Sequence, residues 1–179
     1  MTIGHYPKWL TTDEAQELYQ VALNMDLKQY PVTVWDKTFL QPRLTAWCCD
    51  TGQGYRYSNQ ETPPVEWPQK FLDVRKRLEG ELERKFPCCL VNHYRDGQDS
   101  VGWHRDDEKQ FGSNMLIASI SLGATRRFKM KKHEGLDPQD IELSNGDLLV
   151  FTNEWAHTIP KTAKEVDPRI SLTYRTVEK

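Results

Sequence analysis

Outside two helical stretches, the chain reads as short β-rich segments separated by turn signals, and this order limits the folds open to it. Val32 to Trp35, Phe39 to Cys48, Cys88 to Arg95, Met115 to Leu122, Thr125 to Lys131, Leu148 to Thr152 and Arg169 to Tyr174 carry the strand signal. Asp96-Gly97, Gly123, Asn145-Gly146-Asp147 and Asp167-Pro168 punctuate them. Thr11 with Glu14 offers a capping box, and Leu18, Tyr19, Ala22 and Met25 follow at helical spacing, so a first helix runs to about Met25. A second helix starts near Trp67-Pro68, buries Phe71, Val74, Leu78 and Leu82, and ends at Pro87. Two helices with many short strands predict a mainly β (α+β) fold, with helices packed on a β-sandwich or barrel.

With 179 residues the chain suffices for one domain with a proper core. A net charge of -2 excludes a globally basic nucleic-acid coat protein but permits a local basic groove. An apolar content of 37% beside 28% charged residues reads as globular and soluble. No apolar run is long enough to span a membrane, and MTIGHYPKWL does not have the form of a signal peptide. The expected location is therefore cytoplasmic, or nuclear in a eukaryote, and not secreted. The four cysteines form two doublets, Cys48-Cys49 and Cys88-Cys89, without C-x-x-C spacing. They read as reduced packing cysteines, one thiol of each doublet pointing inward.

His104-Arg105-Asp106 is the single H-x-D of the chain. On an extended segment, residues i and i+2 point the same way, so both side chains can meet one ion. His157, shortly after the strand Leu148 to Thr152, is placed to be a third ligand. Two histidines and one aspartate leave open coordination positions, which suits Fe(II) and oxygen chemistry. Zinc accepts the same ligand types, although a thiol-free open set favours iron.

Arg169-Ile170-Ser171-Leu172-Thr173-Tyr174-Arg175 alternates strictly. Ile170, Leu172 and Tyr174 share one face; Arg169, Ser171, Thr173 and Arg175 share the other. Arginine is the preferred fork for a carboxylate, so this face reads either as a carboxylate clamp or as a solvated strand face. Asn92 and Tyr94 repeat the i, i+2 logic and can orient a small polar ligand. Each of these motifs is weak by itself. Their order is more specific: N-x-Y, H-x-D, a distal His and a terminal R-x5-R, with the three spaced motifs occurring once each.

From about Trp35 to Arg175 the chain resembles the AlkB family of 2-oxoglutarate dioxygenases, particularly its nucleic-acid demethylases. The likeness is strongest from Asn92 to Gly97, from Gly102 to Glu108, in IASISLGATRR and in RISLTYR. It implies a double-stranded β-helix (jelly-roll) core with supporting N-terminal helices and a nucleotide-recognition lid. It implies one domain over 1–179, with the lid at about 32–60 and the catalytic core at about 86–179. It implies Fe(II) at His104, Asp106 and His157, with 2-oxoglutarate and O2 as co-substrates. Asn92, Tyr94 and Arg169 would bind 2-oxoglutarate, Arg175 would sit near the metal, and Ser171 would contact the co-substrate where some members carry Asn.

The stretch Gln41-Pro42-Arg43 through Asp50, Tyr55 and Tyr57-Ser58 resembles the lid of repair members. Such enzymes extrude a base before acting on it, and aromatic faces hold it. Tyr55 and Tyr57 are the candidates to do so, with Arg43 beside them; Trp35 is a candidate wedge for the vacated stack. Asp107 and Glu108 could meet an exocyclic amine or a methylated base's charge. Arg127, Lys129 and Lys131 share a strand face, and with Lys161 and Lys164 they could track a phosphate backbone.

The expected activity is oxidative demethylation of N-alkylated bases, such as 1-methyladenine and 3-methylcytosine, in DNA and/or RNA. A monomer acting on nucleic acid is expected, with no membrane association. The alternatives are a 2-oxoglutarate-dependent hydroxylase of a protein or small molecule, and a jelly-roll binding module with a vestigial site.

Overall fold

The computed structural model describes residues 3–34, 37–57, 60–107, 112, 114–133 and 135–177, with the side chains of Val34, Tyr57 and Gln60 outside the description. In chain order the first half comprises β1 (Gly4–Tyr6), α1 (Thr12–Leu23), β2 (Pro31–Val34), β3 (Lys37–Leu40), β4 (Leu44–Cys49), β5 (Tyr55–Tyr57), β6 (Gln60–Thr62), β7 (Pro64–Val65) and α2 (Gln69–Leu82). Eight strands follow: β8 (Cys88–Tyr94), β9 (Val101–His104), β10 (Leu116–Gly123), β11 (Arg126–Lys131), β12 (Gln139–Leu143), β13 (Leu148–Thr152), β14 (Ala156–Ile159) and β15 (Arg169–Arg175).

Strands β8 to β15 are shared between two sheets. The larger sheet has the order β1-β13-β10-β15-β8-β4-β7, and the smaller β12-β11-β14-β9. Every pairing is antiparallel except β4 with β7. This is the expected jelly-roll core, with the chain crossing repeatedly between two facing sheets.

The larger sheet is buried on both faces. One face carries Val91, Ala118, Ile120, Ile170, Leu172 and Tyr174, which pack with Ala15, Leu18 and Ala22 of α1 and Phe71 and Leu78 of α2. The Tyr174 hydroxyl donates to the Phe71 carbonyl at 3.0 Å, tying β15 to α2. The other face carries Trp47, Leu90, Tyr94, Ile117, Leu149 and Phe151 against Val101, Phe128, Met130, Leu143 and Ile159 of the smaller sheet. That second interior holds the site.

Local signals explain several boundaries. Thr11 and Glu14 form both bonds of the capping box of α1, a cap type whose removal costs about 0.5–2 kcal/mol. The expected strand Phe39 to Cys48 is two strands, because Gln41-Pro42-Arg43 interrupts the ladder where proline has no N–H to give. Pro68 caps α2 from outside rather than sitting in its first turn. The helix stops at Leu82, not Pro87, because Glu83 takes a left-handed conformation (φ 52°) and ends the helical ladder. Gly123 turns β10 toward β11 at φ +81°, and a Cβ there would stand 2.6 Å from the Pro168 carbonyl oxygen, so only glycine fits beside the start of β15.

Segment 32–60, read from the sequence as a lid, divides. β2 pairs with β3, and β5 with β6, as small separate ribbons. Between them, β4 is an integral strand of the larger sheet, paired with β8 from Leu44↔His93 to Cys49↔Cys88. The reading of four reduced cysteines is corrected: Cys49 is joined to Cys88 in a disulfide, since the two residues face each other across that pair. Cys48 and Cys89 are free, buried thiols on the opposite face.

Candidate metal and carboxylate site

A cleft of about 500 Å³, including its open mouth, lies between the two sheets. The polar faces of three larger-sheet strands line it: Asn92 and Tyr94 from β8, Ser119 from β10, and Arg169, Ser171, Thr173 and Arg175 from β15. All seven residues of β15 are buried, so its arginine face is not a solvated strand face. Burying charged side chains is costly unless something compensates them, and the arrangement around each shows what does.

At one end three potential ligands converge. Ligand atoms of His104, Asp106 and His157 all lie within 4.8 Å of one another. The His104 and His157 Nε2 atoms stand 3.5 and 3.9 Å from Asp106 Oδ1. Bonds of about 2.1 Å to a divalent ion put neighbouring ligand atoms about 3 Å apart, so a small inward movement closes this set on a metal. Each imidazole is held by its other nitrogen. His104 Nδ1 lies 2.9 Å from the Gly102 carbonyl oxygen, and His157 Nδ1 lies 3.1 Å from that of Trp155. A carbonyl can only accept, so both Nδ1 atoms carry the proton and both Nε2 lone pairs face the centre.

A β-bulge aims His104. His157 pairs with His104 and Ile159 with Val101, so three steps on β9 match two on β14. The extra residue pushes Gly102 and Trp103 outward and lets both Val101 and His104 line the cleft. His157 is fixed by aromatic rings: Phe128 stacks on it at 5.2 Å and 17°, and Phe151 meets it edge-on at 5.2 Å.

Asp106 is 1% exposed. Arg175 donates to its Oδ2 from Nε at 3.0 Å and from Nη2 at 2.7 Å. Oδ1 accepts no hydrogen bond, which fits a metal ligand. Burial alone would raise the Asp106 pKa, but Arg175, His157 and His104 together hold it well below the usual carboxylate range. Burial, with His104 nearby, lowers His157 to about 4, so its imidazole is a neutral donor at pH 7.

At the other end, Arg169 is 1% exposed and has no carboxylate partner among the described residues. Its Nε donates to Ser121 Oγ at 2.9 Å, while Nη1 has no hydrogen-bond partner. Register places Arg169 opposite Tyr94 and Ser171 opposite Asn92. Arg43 reaches this group too, donating from Nε to Asn92 Oδ1 at 3.1 Å. A buried, forked cation with a spare N–H, beside a phenol and an amide, is suited to an anionic ligand such as a carboxylate.

The chain matches the 2OG-Fe(II) oxygenase superfamily over residues 2–175. It is 36% identical over 186 residues to mouse alpha-ketoglutarate-dependent dioxygenase alkB homolog 3, covering 96% of this chain and 65% of that protein. It is 31% identical over 181 residues to human DNA oxidative demethylase ALKBH2, covering 92% of this chain and 69% of that protein. The chain belongs to the AlkB family of 2OG-Fe(II) oxygenases. Fe(II) and 2-oxoglutarate are the metal and co-substrate that this family implies, and the two ends of the cleft fit them. Among solved structures, OsALKBH1 superposes with a TM-score of 0.71 at 18% identity, covering 97% of each chain. A Pseudomonas putida prolyl-4-hydroxylase superposes with a TM-score of 0.66 at 16% identity, covering 99% of this chain and 93% of that one. At such identities the likeness concerns the fold. The chain spans about two thirds of the length of its curated relatives.

The expected substrate residues divide. Tyr55 lines the cleft but is 7% exposed; it stacks on Trp47 at 5.0 Å and lies 5.0 Å from the Arg175 guanidinium. It is a wall residue rather than a loose lid aromatic. Arg43 is engaged with Asn92. Asp107 is exposed and does not line the cleft. Trp35, Glu108 and the Tyr57 side chain lie outside the described residues. The outward cations of β11 are already occupied: Arg127 and Lys129 reach Asp140 at 3.7 and 3.2 Å, and Lys131 lies over the Trp103 ring at 4.9 Å. Lys161 and Lys164 are exposed.

Sequence reading missed Ser119, Ser121, Phe128 and Phe151. Ser119 and Ser121 sit two apart in IASISLG, a period-2 signal of the kind that revealed the arginine face. The phenylalanines carry no such signal, since an aromatic on a strand is most often core.

Proposed function

We propose that this chain is an Fe(II)- and 2-oxoglutarate-dependent dioxygenase that demethylates N-alkylated bases, such as 1-methyladenine and 3-methylcytosine, in DNA and/or RNA. The observation that carries the reading is the pairing of two unlike ends in one cleft. Two inward Nε2 lone pairs and a bare carboxylate oxygen stand at one end, and a buried arginine with no acid partner among the described residues stands at the other. The similarity to alkB homolog 3, an alpha-ketoglutarate-dependent dioxygenase, and to ALKBH2, a DNA oxidative demethylase, supports the substrate class.

In this reading His104, Asp106 and His157 hold the metal. Arg169, Tyr94, Asn92 and Ser171 hold 2-oxoglutarate by its far carboxylate and chain. Fe(II) held there would supply, with 2-oxoglutarate and O2, the oxidative chemistry that converts the co-substrate to succinate and CO2 and hydroxylates the base's methyl group, which leaves as formaldehyde. The protein's part is placement. Arg175 keeps Asp106 ionised and oriented, and the two Nδ1 bonds keep both imidazoles facing the centre. Phe128, Phe151 and Tyr55 exclude water from the interior wall. Tyr57, Trp35, Asp107 and Glu108 remain the proposed substrate contacts.

The proposal includes a monomer acting in the cytoplasm, or in the nucleus of a eukaryote. Among the described residues no helix is long and apolar enough to cross a membrane. The test is turnover of matched methylated DNA and RNA oligonucleotides, read by mass as loss of one methylene unit. Turnover of 2-oxoglutarate with some other substrate, while every oligonucleotide stays methylated, would refute the demethylase reading.

A further inference from the structure

Arg126 belongs to the basic run at the start of β11, but it points inward and is 2% exposed. No carboxylate pairs with it among the described residues. The Asp99 and Asp96 carboxylates act on it only at longer range, and Asp99 is held by Arg95 through two bonds of 2.7 and 2.9 Å. Arg126 instead donates to three carbonyl oxygens: Asp96 and Asp99 at 2.9 Å each, and Pro160 at 2.8 Å. Its guanidinium lies 5.8 Å from the centre of the Tyr94 ring, and that of Arg169 lies 5.4 Å from the same centre. Two buried guanidinium groups thus share one phenol, and neither is ion-paired with a carboxylate among the described residues. Carbonyl dipoles orient the Arg126 charge without cancelling it. Two such cations repel each other in a medium of low permittivity, and an anion placed near them relieves that repulsion. Burial and the neighbouring Arg126 charge lower Arg169 to about 10, in keeping with this crowding.

We infer that Arg126 is a positioning and specificity residue for the co-substrate: it supplies a second positive charge behind Tyr94 that makes the far end of the cleft select a fully ionised distal carboxylate. It does so without lining the cleft. Its three carbonyl bonds also fasten the turn between β8 and β9 and the residue after β14, so the charge and the walls that carry Tyr94 and His104 are set together. The inference rests on the proposed 2-oxoglutarate site.

The test is calorimetric binding to Mn(II)-loaded protein of two probes: 2-oxoglutarate, and its 5-amide, which keeps the size of the distal group but loses its charge and exchanges one acceptor oxygen for a donor. The wild type is expected to prefer 2-oxoglutarate strongly. Arg126→Gln retains donors for the carbonyl oxygens and removes the charge, and should cut that preference by about tenfold. Arg126→Lys should keep the preference even where both affinities fall. If Arg126→Gln does not fold, Arg126→Lys decides: a retained preference supports the charge role and a collapsed one overturns it. A preference unchanged in Arg126→Gln also overturns it, leaving the 2-oxoglutarate site standing. A wild type that binds neither probe overturns the site and this inference together.

Discussion

Arg175 holds one oxygen of Asp106 with two nitrogens, and leaves the other oxygen facing two imidazoles. A buried carboxylate is thereby given a fixed direction before any metal arrives. Arg175→Met should leave Asp106 buried with its main countercharge gone, costing about 3–5 kcal/mol in the metal-free protein. Mn(II) should restore part of that stability, because the ion replaces the lost charge. Urea unfolding with and without Mn(II) measures both. Equal losses in the two conditions would contradict the arrangement.

Asp106→Ala should abolish metal binding and turnover of any true substrate. Loss of this ligand removes the one anionic donor of the set. Mn(II) titration followed by electron paramagnetic resonance reads binding directly, and full retention of affinity would remove Asp106 from the ligand set.

Phe128 is the stacking partner that keeps His157 in plane. Phe128→Ala should cost about 3–5 kcal/mol of stability and lower Mn(II) affinity on the order of tenfold through a loosened ligand. Phe128→Leu should recover most of the stability but less of the metal affinity, since it fills volume without a flat ring. Identical recovery of both would show that volume alone matters.

Ser121 gives Arg169 its acceptor at Nε. Ser121→Ala should leave that donor unmatched in a buried site and weaken 2-oxoglutarate binding by roughly tenfold, from the usual worth of a hydrogen bond to a charged group. Metal affinity should not change, because the serine lies at the carboxylate end. Calorimetry with each ligand separates the two effects.

Burial pushes the Cys48 thiol up to about 12, and raises Cys89 as well. The thiolate is the reactive form, so both should resist iodoacetamide at pH 8 in the native protein. After unfolding without reductant, Cys48 and Cys89 should label while Cys49 and Cys88 stay protected. Four labelled cysteines in tandem mass spectra would exclude the disulfide. The stability that Cys48 contributes is complete below about pH 8.5, and is lost as the pH rises through about 12.

Much of the site was legible because strands write with period 2. Asn92 with Tyr94, and Arg169 with Ser171 and Arg175, share faces by alternation alone, and the register of β8 on β15 sets the two groups side by side. The H-x-D pair was found by the same logic, although its geometry differs: β9 ends at His104, and a bulge turns that histidine inward. Alternation did not reveal β4 as a strand of the larger sheet, because its place depends on a distant pairing, from Leu44↔His93 to Cys49↔Cys88.

By itself the sequence determined which side chains share a face, where a capping box starts the first helix, and which donor types are available for a metal and a carboxylate. Those are local properties, set by backbone periodicity and by the chemistry of each residue. Tertiary structure alone decided that the arginine face of β15 is sealed between two sheets, that Arg175 meets Asp106, that Phe128 clamps His157, and that Arg126 turns inward beside Arg169. Each of these depends on which strands become neighbours. Burial then decides whether a charge is screened by water or left to act on whatever the cleft binds.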